Sequence, residues 1–377
     1  MNFELNDERA MLRDTVRELL SRAYDIETRN AISITARGWN PAVWKQFAEL
    51  GLLGLPFSEA DGGMGAGPVE TMTVMTEIGR ALAPEPFLDT VVICGGLIAD
   101  AGSPAQRAHY LPRIAEGTTL LAFAHSEPGS RWPYQDVATC ATRTSEGWVI
   151  TGTKNPVLRG DCADDLIVTA TLPDGGIGLF LTAAEDAGVS RHSYATHDGL
   201  GGAEITFAAT PAVPLGNGGD ASALVTGAQV RAQTGLCAEA IGAMTETLRL
   251  TVEYLKQRRQ FGVPIAKFQA LTQRAADMYV SLELASSMSF YATMSLADGG
   301  VDPRVASRAK LQISGAAQHI GQEAIQMHGG IGITAEYPVG HYVSRLTAIG
   351  HTLGGEDDHL RYLAADLSSH DMITVTG

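Results

Sequence analysis

The chain has 377 residues, 45% of them hydrophobic and 18% charged, which excludes a disordered polymer and predicts two or three packed domains rather than one core. Twenty-seven basic residues against 42 acidic ones give a net charge of −15. That charge disfavours nucleic acid and anionic membrane surfaces as partners.

The first residues show no basic segment followed by an apolar stretch, so no signal peptide is expected. No uninterrupted apolar run is long enough to span a bilayer. Cys94, Cys140, Cys162 and Cys237 are scattered and read as buried small side chains in a reducing cytoplasm. No HExxH or CxxC pair is present, so no metal site is expected.

From Leu5 to about Gly117 apolar residues recur at helical spacing, as in Met11, Val16, Leu19 and Leu20, then Val43, Phe47 and Leu50. Breakers such as Asn40-Pro41, Asp61-Gly62-Gly63 and Gly102-Ser103-Pro104 separate the segments, and Asp7 and Asn40 are candidate helix caps. After Thr119 come short runs rich in β-branched residues, among them Leu120–His125, Ala138–Arg143, Trp148–Thr151, Leu166–Ala170 and Ile177–Thr182. Turns such as Pro173-Asp174-Gly175-Gly176 divide them, which predicts a small antiparallel barrel or sandwich closing near Phe207.

Helical periodicity returns at Ala221, with long helices expected over Ala223–Arg258, Phe268–Asp298 and Pro303–His328 and a last one over Asp357–Ser368. The fold class is therefore α+β: an N-terminal helical domain (1–118), a middle β domain (119–214) and a C-terminal four-helix bundle (221–377). No βαβ alternation supports a dinucleotide-binding sheet.

The most specific stretch is Arg258-Arg259-Gln260-Phe261-Gly262-Val263-Pro264-Ile265, followed by Phe268-Gln269 and Gln273 through Met278. A helix end and turn would account for Gly262 and Pro264, but not for Arg, Phe and Gln at these spacings. The stretch resembles the acyl-CoA dehydrogenase pattern RxxFGxPIxxFQxxQxxxADM. Gln326-Met327-His328-Gly329-Gly330 resembles that family's QxxGG turn, where glycines let the backbone approach a pyrophosphate. Ser126-Glu127-Pro128-Gly129 and Gly152-Thr153-Lys154 resemble further family segments, so the likeness covers nearly the whole chain.

The resemblance implies FAD as cofactor, an acyl-CoA thioester as substrate and an electron-transfer flavoprotein as acceptor. It also implies a flavin site shared between subunits, with Arg258, Phe261, Gln269, Gln326, Gly329 and Gly330 laid against a neighbour's FAD and Ser126 on the chain's own side. Desaturation needs a carboxylate to take the α-proton while the flavin accepts the β-hydride. Yet Gly354 stands where the family's EGT glutamate is expected, and Ala232 occupies the alternative helical position. Glu356 is the nearest substitute base; Asp357 and Asp358 read as caps of the last helix. Glu239 and Glu246 lie farther along the long helix.

The family's WxT reads Pro156-Val157-Leu158, and its GxGSD loop has become the bulkier Gly129–Asp136 segment. Ring-pocket losses beside an intact outer edge resemble the base-lacking subunit of heterotetrameric acyl-CoA dehydrogenases of bacterial steroid side-chain degradation. Two rivals remain: a self-sufficient homotetramer using Glu356, and a flavin- or CoA-binding structural subunit without turnover.

Overall fold

The computed structural model describes residues 6–129, 132–134 and 137–365. The N-terminal part is helical: α1 (Asp7–Ala23), α2 (Ile26–Ser33), α3 (Pro41–Glu49), α4 (Pro68–Ala81), a π-helical turn at Leu88–Gly95 that runs into α5 (Gly96–Ala101), and α6 (Pro104–Ala115). Asn40 caps α3 by accepting the Ala42 amide at 3.0 Å. Asn6, not Asp7, caps α1 through the Arg9 amide at 2.9 Å, which leaves Asp7 in the first turn where its charge meets the helix dipole.

The strands are β1 (Leu121–Ala124), β2 (Cys140–Thr144), β3 (Gly147–Leu158), β4 (Asp165–Thr171), β5 (Ile177–Ala183), β6 (Val189–Ala195) and β7 (Gly201–Pro214). The order β1-β4-β2-β3-β7-β5 closes through a β4–β5 pairing, with β6 on the outer side of β7, so the β region is a barrel. It is not purely antiparallel. β1 runs parallel to β4, with Leu121 opposite Asp165. Alternation in each strand cannot report the direction of its partner, and β6, half-exposed and polar along Ser190–Ser193, carried too weak an apolar pattern to be recognised.

The C-terminal part holds α7 (Ser222–Gln257), α8 (Gln269–Ala297), α9 (Pro303–His328), α10 (Pro338–His351) and α11 (Glu356–Ala365). Helices α7 to α10 pack as the bundle and α11 lies on α9. The expected last helix begins one residue early, and its predicted end at Ser368 lies outside the described residues. Helix α4 crosses α7 at contact distance because both carry glycine there: a Cβ on Gly79 would sit 1.9 Å from the Glu239 carbonyl, and one on Gly242 1.8 Å from that of Thr76. One apolar core spans both helical parts, and a smaller one fills the barrel. Cys94 and Cys237 are buried in it, but Cys140 is exposed, contrary to expectation.

Candidate functional site

The outer-edge residues assemble at one end of the bundle. The chain leaves α7 at Arg258, whose amide bonds the Tyr254 carbonyl at 2.8 Å. It then turns through a two-stranded hairpin, Arg259–Gln260 against Val263–Pro264, tied back by the Ile265 amide to the Arg258 carbonyl at 2.8 Å. Phe261 at the tip is 90% exposed with φ +53 and meets the ring of Phe268 at 6.0 Å, immediately before Gln269 opens α8. Helix α8 runs antiparallel to α9, clasped by the Arg274–Glu323 ion pair and the Ser281–His319 hydrogen bond. The start of α8 therefore lies beside the end of α9, where Gln326, Gly329 and Gly330 are exposed. Stacking of Tyr254 on His328, centroids 4.6 Å apart, joins the α7 end to the same place. A buried Arg or Phe could be core; exposed and grouped in this way they offer donors and an apolar face outward.

Ser126 is not part of that group. It lies in the barrel, its carbonyl bonded by the Asn155 amide at 2.8 Å. Beside it Lys154, fully buried, bonds the Glu127 carboxylate at 2.8 Å, the His125 carbonyl at 3.1 Å and the Thr169 hydroxyl at 3.1 Å. Burial pulls Lys154 down to about 8. The ammonium locks the strand ends together and has no open face.

The junction between barrel and helices is filled. Its cavity, lined by residues that include Asp89, Arg159, Asp198, Leu236, Glu239 and Arg345, holds only 70 Å³. That is well below the roughly 300 Å³ of a small-ligand pocket. Arg345 grips both Glu239 oxygens at 2.6 and 2.7 Å and Asp198 at 2.7 Å. Arg159, one residue past Leu158, bonds the Pro84 carbonyl. Burial lifts Glu85 to about 7 and Asp89 to about 6.

The two positions where the sequence reading expected a base are closed as well. Gly354 is buried with φ +99, and a Cβ there would lie 2.9 Å from His359 Nε2 and 3.2 Å from the Trp132 ring. Trp132 packs on His359 at 5.3 Å and on Tyr362 at 5.2 Å. Tyr134 donates to Gln233 at 3.4 Å, and Gln233 donates to the Leu353 carbonyl at 3.4 Å. Ala232 beside it is buried and carries no proton acceptor. Glu356 is exposed and reaches toward Gly315 in a separate cleft between α9 and α10. Asp358 caps α11 through the Gly355 amide at 3.0 Å. Glu246 is taken up by Arg249 and Arg80. The substituted loop was visible in the sequence as bulky, but its contacts with His359 and Tyr362 join residues over two hundred positions apart; Ser130, Arg131, Gln135 and Asp136 lie outside the described residues.

The junction leaves little open volume, whereas Arg258, Phe261, Gln269, Gln326, Gly329 and Gly330 are exposed together at the end of the bundle. Among the described residues no group of three or more His, Cys, Asp or Glu is placed to hold a metal.

Residues 6–118 match the family described as acyl-CoA dehydrogenase, N-terminal domain, and residues 226–367 match its C-terminal domain. The acyl-CoA dehydrogenase IpdE2 of Mycobacterium tuberculosis is 30% identical over 364 residues, covering 96% of this chain and 98% of its own. The acyl-CoA dehydrogenase FadE27 of the same organism is 28% identical, covering 86% of this chain and 88% of its own. Among solved structures, the steroid ACAD Tcur3481–Tcur3483, in a glycine-to-alanine variant, superposes with a TM-score of 0.88 at 30% identity, covering 96% of this chain and 98% of that one. The ChsE4–ChsE5 complex of M. tuberculosis gives a TM-score of 0.90 at 25% identity, covering 98% and 100%.

Proposed function

Because the chain belongs to the acyl-CoA dehydrogenase family, we propose that it is the base-lacking subunit of a heteromeric enzyme, lending one edge of a flavin site whose ring pocket belongs to a partner. FAD is the family's cofactor, and when bound it supplies acceptance of the β-hydride. In this reading Arg258 offers planar donors to the cofactor's phosphates, and the Gly329–Gly330 turn lets the backbone come close. Gln269 and Gln326 contribute amides, and Phe261 covers an apolar face. The partner supplies the carboxylate that takes the α-proton, since neither Ala232 nor Gly354 can.

The observation that carries this reading is the split within one molecule. The outer edge is exposed and assembled, while the junction beneath the barrel is reduced to 70 Å³ and the base position abuts Trp132. Glu356 faces another cleft, which weighs against a self-sufficient enzyme. Likeness to a steroid ACAD and to a two-component complex supports a steroid-type acyl-CoA substrate and a second subunit type. An electron-transfer flavoprotein is the acceptor and the cytoplasm the location in the same reading; no described helix is long and apolar enough to cross a membrane.

The test is to produce the chain alone and together with its partner subunit, then measure bound flavin by absorbance. Flavin is expected only in the co-produced assembly. Flavin held by the chain alone and bleached by an acyl-CoA would overturn the proposal.

A further inference from the structure

We infer that His328 is a positioning residue, whose ring sets the offset between Arg258 and the Gly329–Gly330 turn so that both meet one dinucleotide. This rests on the outer-edge reading above. His328 is the last residue of α9 and is only 3% exposed. Its ring lies between Tyr254 of α7, at 4.6 Å, and Tyr337 at the start of α10, at 5.0 Å. The two tyrosine rings are themselves 6.3 Å apart and edge-on. Three chain segments thus meet at one imidazole.

Each segment carries or abuts a part of the edge. Tyr254 lies on the last turn of α7 and its carbonyl accepts the Arg258 amide, so its ring anchors the turn from which Arg258 leaves the helix. Gly329 follows His328 without an intervening residue and turns at φ +66. The ring itself is fixed: its Nδ1 donates to the Ala324 carbonyl at 2.8 Å, one turn back along α9, and burial lowers its pKa. A flat ring, buried and held between two others, is suited to setting a spacing. It is not suited to contacting a phosphate, for which an exposed cation is needed.

Stacked aromatic pairs have a small energy individually and a strong geometric preference. Removing the ring therefore releases the offset more than it weakens the fold. A ring of similar shape restores it, whatever its hydrogen bonds.

The experiment compares His328→Ala, His328→Phe and Arg258→Ala in the assembly co-produced with the partner subunit, reading the dissociation constant of FAD by flavin fluorescence. His328→Ala is expected to weaken FAD about tenfold and His328→Phe to stay within about twofold of the parent. On the Arg258→Ala background His328→Ala should add little, because a released arginine has nothing left to misplace. Equal affinity of parent and His328→Ala overturns the inference, and so does an equal loss in the alanine and phenylalanine variants. If Arg258→Ala itself leaves FAD binding unchanged, the outer-edge reading falls; if it weakens binding while His328→Ala does not, only the positioning role falls. Should the alanine variant not fold, His328→Leu fills the volume without a ring and carries the same expectation.

Discussion

At the end of the bundle, Arg258 and Phe261 stand in solvent, the first exposed and the second at 90% exposure. At the barrel junction, about one domain away in sequence, Arg159 and Arg345 are buried and bonded, and the Trp132 ring fills the space beside Gly354. The same side-chain chemistry is kept free in one region and consumed in the other. Free groups at the edge leave the energy of a charge-assisted contact to be realised on binding. Groups in the junction have already realised theirs within the fold. A chain that retained its own ring pocket would show the reverse at the junction, with polar groups facing an open cavity.

The sharpest way to break that contrast is to open the junction. Glu239 and Asp198 are 5% and 4% exposed, and Arg345 answers both. Replacing Arg345 by leucine leaves two buried carboxylates without a cation, a change that costs about 3–5 kcal/mol when one partner of a buried pair is lost. That is a large share of the stability of a typical protein. Urea denaturation of the Arg345→Leu chain should show it, and an unchanged midpoint would mean that the junction is not held by this network.

A smaller effect is expected from placing a glutamate at Gly354. Gly354→Glu must adopt φ +99 and push against both His359 and Trp132, which together should destabilise the chain by about 3 kcal/mol. No flavin bleaching by acyl-CoA should appear in the chain alone. If Gly354→Glu folds with parental stability and gains turnover, the junction is not closed and the contrast between the two regions disappears.

The grouping of the proposed edge residues could be read from the sequence and the junction's contacts could not, for a physical reason. Arg258, Phe261, Gln269 and Gln326 with its glycines fall in two short runs, each at the end of one helix, so local spacing carries the signal. Long helices at Pro303–His328 and around Ala223–Arg258 follow from apolar periodicity over many turns. The junction is made by Arg345, Glu239, Asp198, Trp132 and His359, which are far apart in the chain and come together only by folding. The spacing around Gly354 suggested a lost base, but nothing local said that an aromatic ring lies against that position. Helix α10 is hard to read for a similar reason: Gly340, Ser344 and Gly350 interrupt the apolar pattern of Pro338–His351.

The smallest expected change sits at the tip of the hairpin. Phe261 touches Phe268 but is otherwise in solvent, and it holds a positive φ that phenylalanine adopts only at a cost. Nothing in the isolated chain repays that conformation, so Phe261→Ala should leave thermal stability within about 0.5 kcal/mol of the parent. In the assembly with its partner the same substitution removes an apolar face from the edge, and bound flavin should fall while the melting behaviour of the free chain does not. Differential scanning of the free chain and flavin absorbance of the assembly separate the two quantities. A drop in stability of the free chain would place Phe261 among the residues that hold the fold, and would move one of the outer-edge groups to the other side of the contrast.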